Sequence, residues 1–170
     1  MAYAWIGLGS NLNNPLEHLQ AAFTELNELT ATRCLKQSSV WRSKPLGPQN
    51  QPDFLNAVAL LETQLQPLQL LDQLQWLEQQ HQRVRLETWG PRTLDLDLLL
   101  YDQLVMQHPR LQIPHSQMHL RSFVLKPLAE LASELCLPNH GKISDLLMQL
   151  EATEPEDQVL PLEAAAAVTN

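Results

Sequence analysis

The sequence predicts an α+β sandwich built on an antiparallel or mixed sheet. Apolar runs at 3–8, 54–62 and 93–101 have the length of strands. The stretches 15–29 and 67–84 repeat leucine or phenylalanine every three or four residues, as a helix with one buried stripe does. The resulting order is strand, helix, two strands, helix, then further strands and helices, which is the pattern of that class.

Each element has its own reason. Tyr3 to Leu8 is a strand that enters a tight turn at Gly7-Leu8-Gly9-Ser10-Asn11. Asn14-Pro15-Leu16-Glu17 opens a helix: Asn14 as the cap, Pro15 at the first helical position, Glu17 completing a capping box. Leu16, Leu19, Phe23, Leu26 and Leu29 form its buried stripe. Residues 33–42 read as a further strand. Three prolines and a glycine make 43–53 a loop. Phe54 to Glu62 is apolar on both sides, as in a central strand. The helix from Pro67 to about Val84 buries Leu70, Leu74 and Leu77. Residues 85–92 are a loop, and Thr93 to Tyr101 is a strand. A hairpin around 104–105 and 111–113 ends at Pro114, and 117–132 and 143–150 are helices.

Composition narrows the function. The chain of 170 residues suits one catalytic domain at 1–150, followed by an acidic, alanine-rich tail at 151–170 that reads as disordered. The net charge of −8 is concentrated in that tail, which has five acids and no base; residues 1–150 hold 11 bases against 14 acids. Five of the seven arginines fall between 83 and 121, which suggests a local anion site rather than a nucleic-acid surface. Met1-Ala2-Tyr3-Ala4 has no basic segment of a secretory signal, no apolar run reaches membrane length, and Cys34 and Cys136 are too few for a disulfide framework. A cytoplasmic location and a monomer are expected.

The most informative pair is Asp95 and Asp97. Two apart on a strand, they face one side while Leu94, Leu96, Leu98 and Leu100 face the core. Paired carboxylates on an apolar strand fit a hard divalent cation that also takes waters and substrate phosphates; the plainer reading is an edge strand with one wet face. Arg92, three residues earlier, fits a metal-bridged phosphate or a salt bridge to Asp95. Trp89 in a loop can cover a flat ligand, or fold back on the surface. Asn56, between Phe54 and Val58, can read the edge of a heterocycle or bond loop backbone. Gln75 and Glu78 share a helix face that can line a nucleotide site or simply be solvated. His115, close to Arg121, can bond a phosphate. There is no P-loop, the third glycine of a dinucleotide fingerprint is absent at Leu12, and no histidine pair has zinc spacing.

Several segments together resemble one family, the 6-hydroxymethyl-7,8-dihydropterin pyrophosphokinases of folate biosynthesis. They are Gly9-Ser10-Asn11-Leu12, Pro45-Leu46-Gly47-Pro48, Gln51-Pro52-Asp53-Phe54-Leu55-Asn56, Trp89-Gly90-Pro91-Arg92-Thr93-Leu94-Asp95-Leu96-Asp97, Pro114-His115 and Arg121-Ser122-Phe123-Val124-Leu125. The resemblance implies a ferredoxin-like α+β sandwich with mobile loops around the site. It implies transfer of the β,γ-diphosphate of ATP to the pterin hydroxymethyl group, leaving AMP. It assigns two magnesium ions to Asp95 and Asp97, with Arg83 and Arg92 as catalytic arginines. Gln75, Glu78, Arg83, Arg85, Arg92, Leu98, Arg110, His115 and Arg121 would surround ATP. Ser43, Leu46, Phe54, Asn56, Trp89 and Phe123 would hold the pterin. Thr88 departs from many members, and Lys44 and Ser116 from some; these departures leave the aspartate pair intact.

Three other readings are weighed: a non-catalytic pterin or nucleotide-binding module, a metal-dependent phosphohydrolase, and an RNA-binding ferredoxin-like domain. The intact aspartates oppose the first. Sparse aromatics and a body that is not basic oppose the last. The second would release phosphate without a pterin.

Overall fold

The computed structural model describes residues 1–45, 50–82, 93–154 and 158–162. Its sheet is organised around two long strands, β1 (Ala2–Ser10) and β4 (Phe54–Thr63), which pair antiparallel along their whole length. Strand β2 (Thr32–Gln37) and then β3 (Trp41–Ser43) both pair with β4, and β5 (Asp95–Tyr101) pairs with β1. Helix α1 (Pro15–Asn27) connects β1 to β2, and α2 (Pro67–His81) connects β4 to β5. The order β2-β4-β1-β5, with each of these pairings antiparallel, is the ferredoxin-like arrangement within an α+β fold.

Past β5 come a small hairpin, β6 (Met106–His108) with β7 (Leu111–Ile113), and α3 (Ser122–Ala132). A second small pair follows, β8 (Cys136–Leu137) with β9 (Gly141–Lys142), then α4 (Ile143–Glu151). The last described element, β10 (Val159–Pro161), adds to the outer edge of β3.

Both faces of the sheet are covered. On one face α1 and α2 bring Leu19, Phe23, Leu26, Leu70, Leu74 and Leu77 against Ile6, Leu8, Ala57, Leu61, Leu96 and Leu98. On the other, Leu125, Leu128, Ile143 and Leu146 of α3 and α4 meet Trp5, Val58, Leu60, Leu99 and Leu100. This two-sided burial is why β4 is apolar on both sides. Each fully buried leucine contributes roughly 1.5–3 kcal/mol.

The structure corrects several expectations. A bulge between Trp5 and Ile6 pairs Trp5 with Leu100 and Ile6 with Leu98. Two residues of separation on β5 therefore match one on β1, and Leu100 joins the α3–α4 core, apart from Leu96 and Leu98. Strand β1 runs on to Ser10, so Gly7 and Gly9 lie within it rather than in a turn. Asn14 adopts a left-handed conformation and makes no side-chain cap, so no capping box forms there; a capping box closes Gln66 and Gln69 at α2 instead. Leu16 is exposed, one turn too early to reach the sheet.

The expected strand at 33–42 is two strands. The Ser38 hydroxyl accepts the Val58 N–H at 2.8 Å while the Ser38 N–H donates to the Val58 carbonyl at 2.9 Å, so the chain is pinned to β4 between them. The expected helix at 117–132 is broken at Arg121, which is extended (φ −119°, ψ 106°) between a short 3-10 turn and α3. The acidic tail is also not uniformly disordered: β10 is strand, and Val159 is 3% exposed.

Candidate active site

At one end of the sheet, a row of residues crosses four strands on the face shared with α3. Trp41 pairs with Asn56, Asn56 with Gly9, and Gly9 with Asp95. The next row pairs Val58 with Gly7 and Gly7 with Asp97. Directly paired residues present their side chains to the same face. Strands lie about 4.8 Å apart, so Asn56 and Asp95 stand about 10 Å apart across Gly9. The glycine leaves the floor between them bare. A Cβ there would lie 3.7 Å from Asn56 Oδ1 and 3.9 Å from the Phe54 ring.

The segments leading into this floor are held from beneath. The Ser10 hydroxyl donates to the Thr93 carbonyl, two residues before Asp95. Asn11 is buried, and its Nδ2 donates to Gln51 Oε1 at 2.9 Å and to the Pro52 carbonyl at 3.1 Å, just before Phe54. The Gly9-Ser10-Asn11 sequence thus fixes the start of both β4 and β5. On the far side, Asn56 Nδ2 donates to Ser43 Oγ at 2.7 Å, and both residues are buried.

The opposite wall comes from the chain after β7. A cis peptide joins Ile113 to Pro114, and the His115 N–H then donates to the Leu99 carbonyl at 3.0 Å. This sets the imidazole beside β5. Burial pushes His115 below the ordinary imidazole range; the Asp97 carboxylate pulls it back up and the Arg121 guanidinium pushes it down. His115 Nδ1 accepts the Gln117 N–H at 3.3 Å, which in the neutral ring leaves the proton on Nε2. The Arg121 guanidinium carbon lies 5.7 Å from the Phe123 ring centroid, a cation–π distance. Arg121 and Phe123 also line a cavity of about 240 Å³ with Ser43 and Val159.

A third group borders the other edge of β5. Glu78 Oε2 accepts the Leu96 N–H at 2.8 Å. Arg110 Nη2 donates to Asp72 at 2.5 Å and to Gln75 Oε1 at 3.1 Å, tying the β6–β7 hairpin to α2.

The model of the 7,8-dihydro-6-hydroxymethylpterin-pyrophosphokinase (HPPK) family matches residues 5–133. The chain is 54% identical over 149 residues to the 2-amino-4-hydroxy-6-hydroxymethyldihydropteridine pyrophosphokinase of Haemophilus influenzae, covering 88% of this chain and 93% of that protein. This chain belongs to the HPPK family.

Other HPPK relatives extend the picture. The Pseudomonas aeruginosa protein of the same name is 49% identical over 84% of this chain and 88% of its own. Among solved structures, Plasmodium falciparum HPPK-DHPS with pteroate superposes with a TM-score of 0.74 at 12% identity, a likeness of fold. The alignment covers 93% of this chain and 47% of that one, so the chain spans less than half the length of that structure.

The HPPK fold brings together Ser43, Phe54, Asn56, Asp95, Asp97, His115, Arg121 and Phe123 on one face, through the pairings and contacts above. Gln75, Glu78 and Arg110 sit beside β5 instead: Glu78 accepts the Leu96 N–H, and Arg110 bonds Gln75. Leu98 is 2% exposed in the α1–α2 core, so a ligand could meet only its backbone. Leu46, Arg83, Arg85, Trp89 and Arg92 lie outside the described residues. Gly7 and Gly9, expected in a turn, lie within β1, and Val159 lines the cavity beside Phe123 with no local signal for it in an acidic tail.

Among the described residues no group of three or more His, Cys, Asp and Glu is arranged to hold a metal. The donor set present is two carboxylates, Asp95 and Asp97, two apart on β5 beside the open floor at Gly9. That fits a magnesium ion, which keeps several waters and takes substrate phosphates alongside one or two carboxylates.

Proposed function

We propose that this chain catalyses ATP-dependent pyrophosphorylation of 6-hydroxymethyl-7,8-dihydropterin, giving AMP and the pterin diphosphate, a step of folate biosynthesis. Family membership supports the reaction. The observation that carries its assignment to this face is the glycine-floored gap between Asn56 and Asp95: an amide and aromatic rings on one side, carboxylates on the other.

In this reading the pterin stacks between Phe54 and Phe123. Asn56, oriented by Ser43, reads its polar edge, and the hydroxymethyl group points across Gly9 toward β5. Leu46 and Trp89 complete the pocket. Asp95 and Asp97 hold two magnesium ions, which when bound draw charge from the ATP phosphates. His115 offers its Nε2–H, and Arg121 its guanidinium, to phosphate oxygens. Arg83, Arg85, Arg92 and Arg110, with Gln75, Glu78 and the backbone of Leu98, complete the ATP side. Arg83 and Arg92 tighten on phosphate when both substrates are bound. The substrate hydroxyl oxygen bonds to the β-phosphorus, the bond from that phosphorus to the bridging oxygen of AMP breaks, and the hydroxyl proton is lost. Alignment and charge neutralisation supply most of the rate.

One catalytic unit within 1–150, a monomeric state and a cytoplasmic location belong to the same proposal; no described helix is long and apolar enough to cross a membrane. The test is incubation with ATP, magnesium and the pterin, with and without chelator. AMP that requires both pterin and magnesium supports the reading. Phosphate release without pterin would identify a hydrolase instead.

A further inference from the structure

We infer that the C-terminal strand β10 is a positioning element of the pterin side of the site, and that Lys126 acts through it; the inference rests on the function proposed above. Strand β3 has three residues and pairs with β4 along one edge. Its Ser43 is the residue that receives the Asn56 amide. A three-residue edge strand is a poor fixture, because few backbone pairings hold it. The second side is supplied by β10, with Val159 opposite Ser43, Leu160 opposite Arg42 and Pro161 opposite Trp41.

Two further bonds fasten β10 in that register. The Leu162 N–H donates to the Val40 carbonyl at 2.9 Å. The Lys126 ammonium, from α3, donates to the Val159 carbonyl at 3.0 Å. Lys126 follows Phe123 by three residues on α3, so one helix both presents the aromatic and ties down the strand. Val159 is buried and, with Gln158, forms a wall of the cavity that Ser43, Arg121 and Phe123 also line. The chain from Lys126 through Val159 and Ser43 to Asn56 is therefore continuous. Loosening its first link tilts the amide that reads the pterin, while β5 and its carboxylates, at the other edge of the sheet, are untouched.

The test is steady-state kinetics on the full-length Lys126→Met variant and on Leu162→Pro, which removes the N–H that bonds Val40, with Lys126→Arg as the rescue and circular dichroism as the fold check. The wild-type protein is assayed first, so a lack of pterin-dependent AMP formation there would count against the proposed function and not against this inference. A rise in KM for the pterin of roughly tenfold in either variant, with KM for ATP and kcat within about twofold and Lys126→Arg near wild type, is expected from a sub-ångström misplacement of a reading group. A KM for the pterin within about twofold of wild type in both variants, or equal rises in both KM values, overturns the inference.

Discussion

Asn56 donates its side-chain N–H to the hydroxyl of Ser43 at 2.7 Å, and the two are 4% and 5% exposed. A buried amide held in this way has one face committed and the other available. Asn56→Ala removes the reading group and leaves Ser43 without this partner. The expected result is a loss of about 1–3 kcal/mol in pterin binding, tenfold or more in KM, with KM for ATP little changed. Ser43→Ala should show a smaller effect in the same direction. Titration of each variant with pterin and with nucleotide checks both.

Asp97 is exposed on β5 opposite Gly7. Its removal costs little stability, within about 0.5 kcal/mol as for ordinary surface positions. Turnover of Asp97→Ala is expected to fall roughly a thousandfold, the scale of several kcal/mol of lost charge stabilisation. Circular dichroism and the melting temperature establish that the fold is retained; near-normal turnover would remove Asp97 from the metal site.

The bare floor at Gly9 gives a steric prediction. A Cβ fits, since its nearest neighbours would be at 3.7 Å or more, and strand backbone tolerates β-branched residues. Gly9→Ala should therefore fold and act nearly normally. Gly9→Val should fold too, with its extra methyls standing between Asn56 and Asp95, and kcat/KM should drop by roughly tenfold to a hundredfold. Kinetics alongside thermal melting separate the two effects.

Leu98 poses a sharp choice between roles. Its side chain lies in the α1–α2 core, so Leu98→Ala is expected to destabilise the protein by about 2–5 kcal/mol while KM for ATP stays close to wild type. Denaturant unfolding measures the first quantity and kinetics at low temperature the second.

A histidine pair away from the site is expected to contribute to acid sensitivity. His18 Nδ1 and His81 Nδ1 are 2.6 Å apart, and His81 Nε2 lies 2.6 Å from Glu25 Oε1, linking α1 to α2. Two ring nitrogens at that distance hold one proton between them. Burial first, and the nearby His81 second, push His18 below the ordinary imidazole range, while the Asn13 backbone, Glu17 and Glu25 pull it partly back. The folded protein thus binds the His18 proton less readily than the unfolded chain. Stability from this group is complete above about pH 6.5, the unfolded value, and declines as pH falls toward the lower folded value. Melting temperatures from pH 8 to pH 5 should fall on the acid side, and His18→Gln should flatten that slope.

Much of the fold was legible because period and punctuation agree. β4 and α2 announce themselves by continuous and by helical apolar spacing, and their cores form as expected. The misses are tertiary in origin. The bulge that redirects Leu100 depends on β1, far away in sequence. The break at Arg121 places its side chain beside Phe123, which no propensity reveals. β10 pairs from an acidic tail because β3 offers an edge. Within the site, the Asp95–Asp97 spacing is readable from strand period alone. Asn56, Phe123 and Ser43 come together only through the sheet register and α3, so resemblance to a family pointed to them where spacing did not.

The central claim is transfer of a diphosphate with attack at the β-phosphorus, and labelled ATP tests it most directly. With ATP labelled at the β-phosphorus, the account predicts that label appears in the pterin product, whereas label at the α-phosphorus stays in AMP. β-Label recovered in ADP or in inorganic phosphate, with none in the pterin, would contradict it.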